Sequence, residues 1–366
     1  MASVRPSAST AIKELARRVS RLARDDSLCG AILREGELNT LHWVERQGGT
    51  MSRIRVAAVQ AEPKWLNLSA GVEQTIECIE MAERGGAQLI AFPETFLPGF
   101  PWWMWLNSVD WGEEFLARYL ANAVTADGPE LRAIAYAARR TGVHVSIGFA
   151  ERDGREVFMS QALIDADGII AVARKAEPTG LERTVFSGSP GGRPLVLDTV
   201  HGRIGVLGGA DHLRADLRGQ LHDQREQIHV SAWSGFTVYY GEGKEWGPDL
   251  NTAASVRYAM DGSTYVIAPV AVVPVAGWEV VDARTPERRL LRGGGGVSRI
   301  FGPGGLELAA PLAEGEEGLL YAELDLSRSL RTATAAVPRA ERSQPLRVSS
   351  GRIVRREPVR VQPARA

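Results

Sequence analysis

Arg203-Ile204-Gly205-Val206-Leu207-Gly208-Gly209-Ala210-Asp211 is an apolar run of strand length that closes on two glycines and an acid. It reads as a buried strand leaving into a tight turn. Short apolar strands of the same kind lie on both sides: Leu195 to Leu197 just before it, Ile228 to Ala232 and Tyr265 to Pro269 after it. Farther upstream, Ile54 to Val59 reads as a buried strand, and Val72, Ile76 and Ile79 mark a helical face that stops near Gly85-Gly86. Gln88 to Phe92 is a strand halted by Pro93. Leu131, Ile134, Ala135 and Ala138 give a second helical stripe, and Val143 to Phe149 another strand. Ala162 to Ile164 and Ile169 to Val172 flank Asp165-Ala166-Asp167-Gly168, a hairpin signal. Gly293 to Gly296 reads as a flexible link before a last strand pair, Val297 to Ile300 and Leu306 to Leu308. Alternation of this kind implies an α/β protein with helices layered on sheets. The pattern alone fits either a doubly wound sheet or a two-sheet sandwich with outer helices.

This core occupies residues 51–326. Residues 1–50 form an extension in which Ile12, Leu15, Val19 and Leu22 recur at helical spacing among Lys13, Arg17, Arg18, Arg21 and Arg24. It reads as a peripheral helix or leader. Residues 327–366 form an arginine-rich tail with little to bury, either solvated or packed inside an oligomer.

Composition narrows the function classes. The chain has 366 residues, of which 44% are hydrophobic and 24% charged, which suits a water-soluble globular protein. Its formal net charge of −1 gives no global field for nucleic acid or an anionic membrane. Two cysteines, Cys29 and Cys78, are too few for a disulfide framework or a cysteine-based zinc site. No apolar run approaches the roughly 20 residues that span a bilayer, and no secretory signal opens the chain. A cytoplasmic protein acting on a small molecule, with no metal and no cofactor, is the expectation.

Three segments carry candidate chemistry. Glu94 follows an apolar strand in Phe92-Pro93-Glu94-Thr95-Phe96-Leu97-Pro98-Gly99-Phe100-Pro101, the place where open sheets put ligands. A carboxylate desolvated there has its pKa raised and can act as a base; Trp102, Trp103 and Trp105 follow and can wall off water. Lys175 ends the strand begun near Ile169, and a lysine there can hold developing negative charge. Glu182 lies seven residues on, across a Pro-Thr-Gly turn that can fold it back onto Lys175. The third segment is the turn at Gly209. Trp233 and the stretch Gly247 to Thr252 complete the expected rim. His229 reads as a satisfied core histidine, since no second ligand stands at metal spacing. No serine sits in a Gly-x-Ser-x-Gly elbow, so a hydrolytic triad has no support.

Taken together, these segments resemble the nitrilase branch of the carbon–nitrogen hydrolase superfamily over about residues 53–326. The order matches: Pro93-Glu94-Thr95-Phe96, then Lys175 with Pro178-Thr179 and Glu182-Arg183, then the Gly209 turn, then Glu226-Gln227-Ile228-His229-Val230-Ser231-Ala232-Trp233. The resemblance implies a four-layer αββα sandwich and homo-oligomers, either dimers or spirals. It also implies that Glu94 is the general base, that Lys175 stabilises the tetrahedral intermediate and that Glu182 orients the site. The position of the family's nucleophilic cysteine falls on Gly209. Other departures lie nearby: the aromatic residue after the nucleophile is Ala210, the histidine two positions before the lysine is Ala173, and the Gly-His-Tyr motif near the C-terminus appears as Arg339-Ala340-Glu341.

Glycine cannot attack, so thiol-based nitrile hydrolysis is not expected. Gly209 and Ala210 are expected to open room for a larger substrate, bounded by Trp103 and Trp233. Three functions follow. The first is a repurposed enzyme using Glu94, Lys175 and Glu182 for cyclisation, condensation, elimination or hydration of a small nitrogen compound. The second is an inactive homologue serving as a binding or assembly partner. The third is a nitrilase disarmed at its nucleophile.

Overall fold

The computed structural model describes residues 53–105, 109–165, 168–189, 194, 196–235, 247–273 and 294–329. The readings of residues 1–50 and of the tail beyond Ser329 lie outside these.

Two mixed sheets face each other. The first has six strands in the order β11-β1-β2-β3-β4-β5: β1 (Arg53–Gln60), β2 (Leu89–Ala91), β3 (His144–Asp153), β4 (Glu156–Asp165), β5 (Gly168–Arg174) and β11 (Gly318–Asp325). The second has five in the order β10-β9-β8-β7-β6: β6 (Val196–Thr199), β7 (Gly202–Gly208), β8 (Ile228–Ala232), β9 (Tyr265–Ala268) and β10 (Arg299–Phe301). The centre of each sheet is parallel, β1-β2-β3 in one and β7-β8-β9 in the other, with antiparallel strands outside.

Strand alternation sorts the side chains into layers. Val56, Ala58, Leu89 and Leu320 of the first sheet pack against Ile204, Val206, Val230 and Ile267 of the second, so the main core lies between the sheets. On the other face of the first sheet, Ala57, Val59, Ile90, Val145 and Ile147 meet two helices, α1 (Leu68–Arg84) through Ile79 and Ala82, and α3 (Pro129–Thr141) through Leu131, Ile134 and Ala138. On the other face of the second sheet, Leu207, Val266 and Ala268 meet α4 (Ala215–Asp223) through Leu217 and Leu221, and α5 (Pro248–Gly262) through Tyr258 and Ala259. The architecture is therefore the two-sheet sandwich with outer helices, and the doubly wound alternative is set aside. A further helix, α2 (Val109–Ala121), follows a short 3-10 turn at Trp102–Trp105.

Local sequence explains the boundaries. Asn67 caps α1, its side chain accepting the Ala70 N–H at 3.2 Å. Pro129 opens α3, and Gly142, at φ +71°, closes it in the left-handed region.

Two expectations change. Leu306–Leu308 is not a strand: only Glu307 bridges, to Phe301. The last long strand is β11, which pairs antiparallel with β1 along its whole length. The glycine run is not a loose link where it is described. Gly295 donates to Glu314 Oε1 at 3.0 Å, and Gly296 donates to the Glu314 carbonyl at 2.9 Å.

Candidate active site

The C-terminal ends of β2, β7 and β8, together with the end of β5, converge at one edge of the inter-sheet layer. Glu94 leaves β2 on a loop pressed flat against β3, and its N–H donates to the Trp233 carbonyl at 3.3 Å, tying the first sheet to the second. Lys175 follows β5 directly, its N–H donating to the Met159 carbonyl at 2.8 Å. Glu182 sits in the 3-10 turn Gly180–Thr184. There the N–H and hydroxyl of Thr179 both donate to Glu182 Oε2, at 2.7 and 3.0 Å, in a capping box.

These elements bring the three charged side chains together. Lys175 Nζ lies 3.1 Å from Glu94 Oε1, 3.1 Å from Glu182 Oε1 and 3.0 Å from Glu182 Oε2. All three are buried. Asp211, in the turn after β7, accepts the Ala176 N–H at 3.0 Å and so braces the same corner. Desolvation by burial pushes the Glu94 carboxyl up to about 7; the Lys175 charge opposes that rise and the Glu182 charge adds to it. Burial acts to lower the Lys175 pKa, but the charges of Glu94 and Glu182 outweigh it, and the ammonium is held above its usual range. Burial likewise raises Asp211. The result is a permanent cation beside a carboxyl poised to hold or release a proton near neutrality, which is what general acid–base chemistry needs.

The turn at Gly209 closes onto this group. Gly209 has φ +43°, a backbone that side chains rarely adopt. A Cβ built on it would lie 2.9 Å from Glu94 Oε2 and 3.1 Å from Lys175 Nζ. The expected open room at Gly209 is therefore absent: the Glu94 carboxylate and Lys175 ammonium already occupy that space. Space lies instead beside the trio, in a cavity of about 350 Å³ lined by Glu94, Lys175, Asp211, Ala173, Gln161 and Gly208.

The other expected contacts are placed differently. Ala210 sits half-buried in the 3-10 turn Gly209–Leu213. Trp103 is buried in an aromatic cluster, 5.7 Å from Trp65 and 5.1 Å from Tyr119 between ring centroids. Trp233 stacks on His212 at 5.1 Å. Neither these three residues nor Gly209 lines the cavity. Cys78 is buried in α1, its thiol pushed up to about 12 by desolvation, which suits a packed thiol rather than a reactive one. Cys29 is outside the described residues.

The sequence carries a signal for one further residue that holds the site: Thr179-x-x-Glu182 is the Ser/Thr-x-x-Glu pattern of a capping box. Among the described residues, no group of three or more His, Cys, Asp or Glu side chains is placed to hold a metal, and no helix is long and apolar enough to cross a membrane.

A two-sheet sandwich with outer helices, carrying a buried Glu–Lys–Glu group at its strand ends, is the architecture expected of carbon–nitrogen hydrolases. The family model described as Carbon-nitrogen hydrolase matches residues 55–333, and the chain belongs to that family. It is 41% identical over 293 residues to a nitrilase of Pseudomonas syringae pv. syringae (strain B728a), covering 80% of this chain and 87% of the relative. It is 39% identical over 294 residues to an aliphatic nitrilase of Rhodococcus rhodochrous, covering 80% of each. Among solved structures, Saccharomyces cerevisiae Nit3, a member of branch 10 of the nitrilase superfamily, superposes with a TM-score of 0.62 at 19% identity, over 80% of this chain and 97% of that one. An amidase of the nitrilase superfamily from Nesterenkonia AN1 gives 0.55 at 19% identity, over 77% and 94%. Both support the fold.

Proposed function

We propose that this protein is a nitrilase-type enzyme in which Gly209 stands at the nucleophile position, and that it performs acid–base chemistry on a small nitrogen-containing substrate without a covalent intermediate. One observation carries the reading: Lys175 Nζ is held within 3.1 Å of both Glu94 and Glu182, while Gly209, where an added Cβ would reach both Glu94 and Lys175, has no side chain to attack with.

In the simplest reaction of this kind, Glu94 takes a proton from water as the water oxygen bonds to a nitrile carbon. Lys175 stabilises the charge that develops on the nitrile nitrogen. Glu94 then returns the proton to that nitrogen, and the resulting imidic acid tautomerises to the amide. A substrate carrying its own amine or hydroxyl replaces the water and cyclises, gaining from proximity up to about 7–11 kcal/mol of the barrier when well aligned. Glu182, fixed by Thr179, keeps the lysine aimed. The neighbouring cavity takes the substrate.

The pH profile tests the base. Glu94 is active only when ionised, so turnover of a panel of small nitriles and amino nitriles, read by product mass, rises with pH through about 7. Glu94→Gln lowers it by about 10²-fold or more. An unchanged rate in Glu94→Gln contradicts the assignment.

A further inference from the structure

Behind the Gly209 turn lies a second buried polar group that the reaction above does not use. His212 Nδ1 is 2.7 Å from the Gly209 carbonyl oxygen, His212 Nε2 is 3.0 Å from His229 Nε2, and His229 Nδ1 is 3.0 Å from Glu226 Oε2. Tyr258 donates its hydroxyl to Glu226 Oε1. His212, His229 and Tyr258 are fully buried, and Glu226 nearly so. The backbone is shaped around them. A Cβ on Gly205 of β7 would lie 2.0 Å from Glu226 Oε2, so only glycine admits the carboxyl there.

The order of protons in this row follows from valence. A carbonyl oxygen only accepts, so His212 Nδ1 bears hydrogen. A neutral imidazole carries one such hydrogen, so His212 Nε2 accepts. His229 Nε2 must then donate. One further proton lies between His229 Nδ1 and Glu226 Oε2, and the order downstream is the same whichever atom carries it.

We propose that Glu226, His229 and His212 form a proton-ordered chain that positions the Gly209 turn, and that the chain holds this turn only while the Glu226–His229 pair keeps its shared proton. When that proton is lost, the Glu226 carboxylate accepts from His229 Nδ1–H. His229 Nε2 is then bare and accepts from His212 Nε2–H. His212 Nδ1 becomes a lone pair facing the Gly209 oxygen, and the bond to the turn is gone. Loss of one proton at Glu226 thus reverses every hydrogen bond up to the turn beside Glu94 and Lys175.

The surroundings set where this occurs. Glu226 faces His229 on β8, Tyr258 on α5 and His222 on α4, whose Nε2 is 3.9 Å from Glu226 Oε1. Arg218 on α4, Lys175 and Asp261 act on the histidines from outside the row. Burial dominates and pushes Glu226 up to about 8, while Tyr258 and His222 oppose the rise. Burial holds His212 and His229 well below their usual range, which favours the neutral imidazole and draws the shared proton toward Glu226.

The consequence for turnover rests on the function proposed above, but the proton order does not, and it is measured without substrate. The full chain is labelled with ¹⁵N in its six histidines, and two-bond ¹H–¹⁵N spectra are recorded from about pH 6 to about pH 10, on either side of the Glu226 value of about 8. Signals are assigned by their loss in His212→Gln and His229→Gln. The expected result is His212 protonated at Nδ1 and His229 at Nε2 at low pH, with both tautomers inverting together as pH rises. Glu226→Gln keeps the low-pH order throughout, because its amide N–H donates to His229 Nδ1 and its carbonyl accepts from Tyr258. A low-pH His212 protonated at Nε2, an absence of inversion in the native chain, or an inversion that persists in Glu226→Gln overturns the proposal. If Glu226→Gln does not fold, the native spectra decide alone. Absence of turnover on every substrate counts against the proposed function and leaves this chain of protons untouched.

Discussion

Replacing Lys175 with methionine is expected to abolish turnover and to remove about 3–5 kcal/mol of stability near neutral pH. The substitution keeps most of the side-chain volume and removes the charge, so packing loss is a small part of the effect. What remains is Glu94 and Glu182, both buried and both within 3.1 Å of the atom that was neutralising them. The Thr179 donors still hold Glu182. Glu94 has no such support from its own loop, and its carboxyl, already raised by burial, moves higher. The sign of the pH dependence follows. A carboxyl whose folded pKa lies above its unfolded value binds more protons when folded, so stability falls as pH rises through the window between the two. The Lys175→Met deficit is therefore largest above about 7 and shrinks on acidification, as Glu94 becomes neutral. Urea unfolding across that range measures it. A deficit that is small and flat with pH contradicts a buried, charge-coupled trio.

Gly148→Ala is the second large effect. Gly148 lies in β3 where the loop carrying Glu94 crosses it. An added Cβ would meet the Pro93 carbonyl oxygen at 2.2 Å, the Thr95 nitrogen at 2.6 Å and the Glu94 Cα at 2.8 Å. All three are backbone atoms, with no flexible side chain to swing aside. Overpacking of this kind costs about 3 kcal/mol or more, and the loop lifts Glu94 away from Lys175, so activity falls with stability. Gly219→Ala in α4 is the control. Its added Cβ meets nothing within 4 Å, so the helix gains about 0.5–1 kcal/mol. Equal thermal stability for the two variants contradicts the close approach of the loop to β3.

Much of this arrangement was legible in the sequence because it rests on local patterns. The strands of β1, β3, β7 and β8 announce themselves as apolar runs, and α1 and α3 by stripes at helical spacing closed by glycine. Glu94 and Lys175 stand at strand ends, and the Pro-Thr-Gly turn brings Glu182 back to Lys175 through the Thr179 capping box. What was not legible depends on distant partners. β11 carries an alternation, Leu320, Ala322 and Leu324, that becomes a strand signal only once β1 is there to pair with it. The choice between one doubly wound sheet and two facing sheets depends on what covers each strand face. A missing side chain at Gly209 predicts open space. Yet volume belongs to the surroundings, and Gly208, whose own Cβ would lie 2.5 Å from Glu94 Oε1, lets the carboxylate settle into the gap. The row from Glu226 to His212, with Tyr258 behind it, draws on three segments that meet only in the folded core.

Gly209→Cys is the substitution that reads out whether Gly209 stands where a nucleophile belongs. The variant bears about 1–2 kcal/mol of strain from a side chain at φ +43°, and the Glu94 carboxylate must shift to admit the new Cβ. The added sulfur then lies beside a base and a cation, the environment that activates a thiol. Ammonia release from a panel of aliphatic and aromatic nitriles is the measurement. Ammonia is expected from Gly209→Cys, lost again in Gly209→Cys with Glu94→Gln, and absent from the native chain. A folded Gly209→Cys protein that releases no ammonia from any nitrile, or a native chain that already does, contradicts that placement of Gly209.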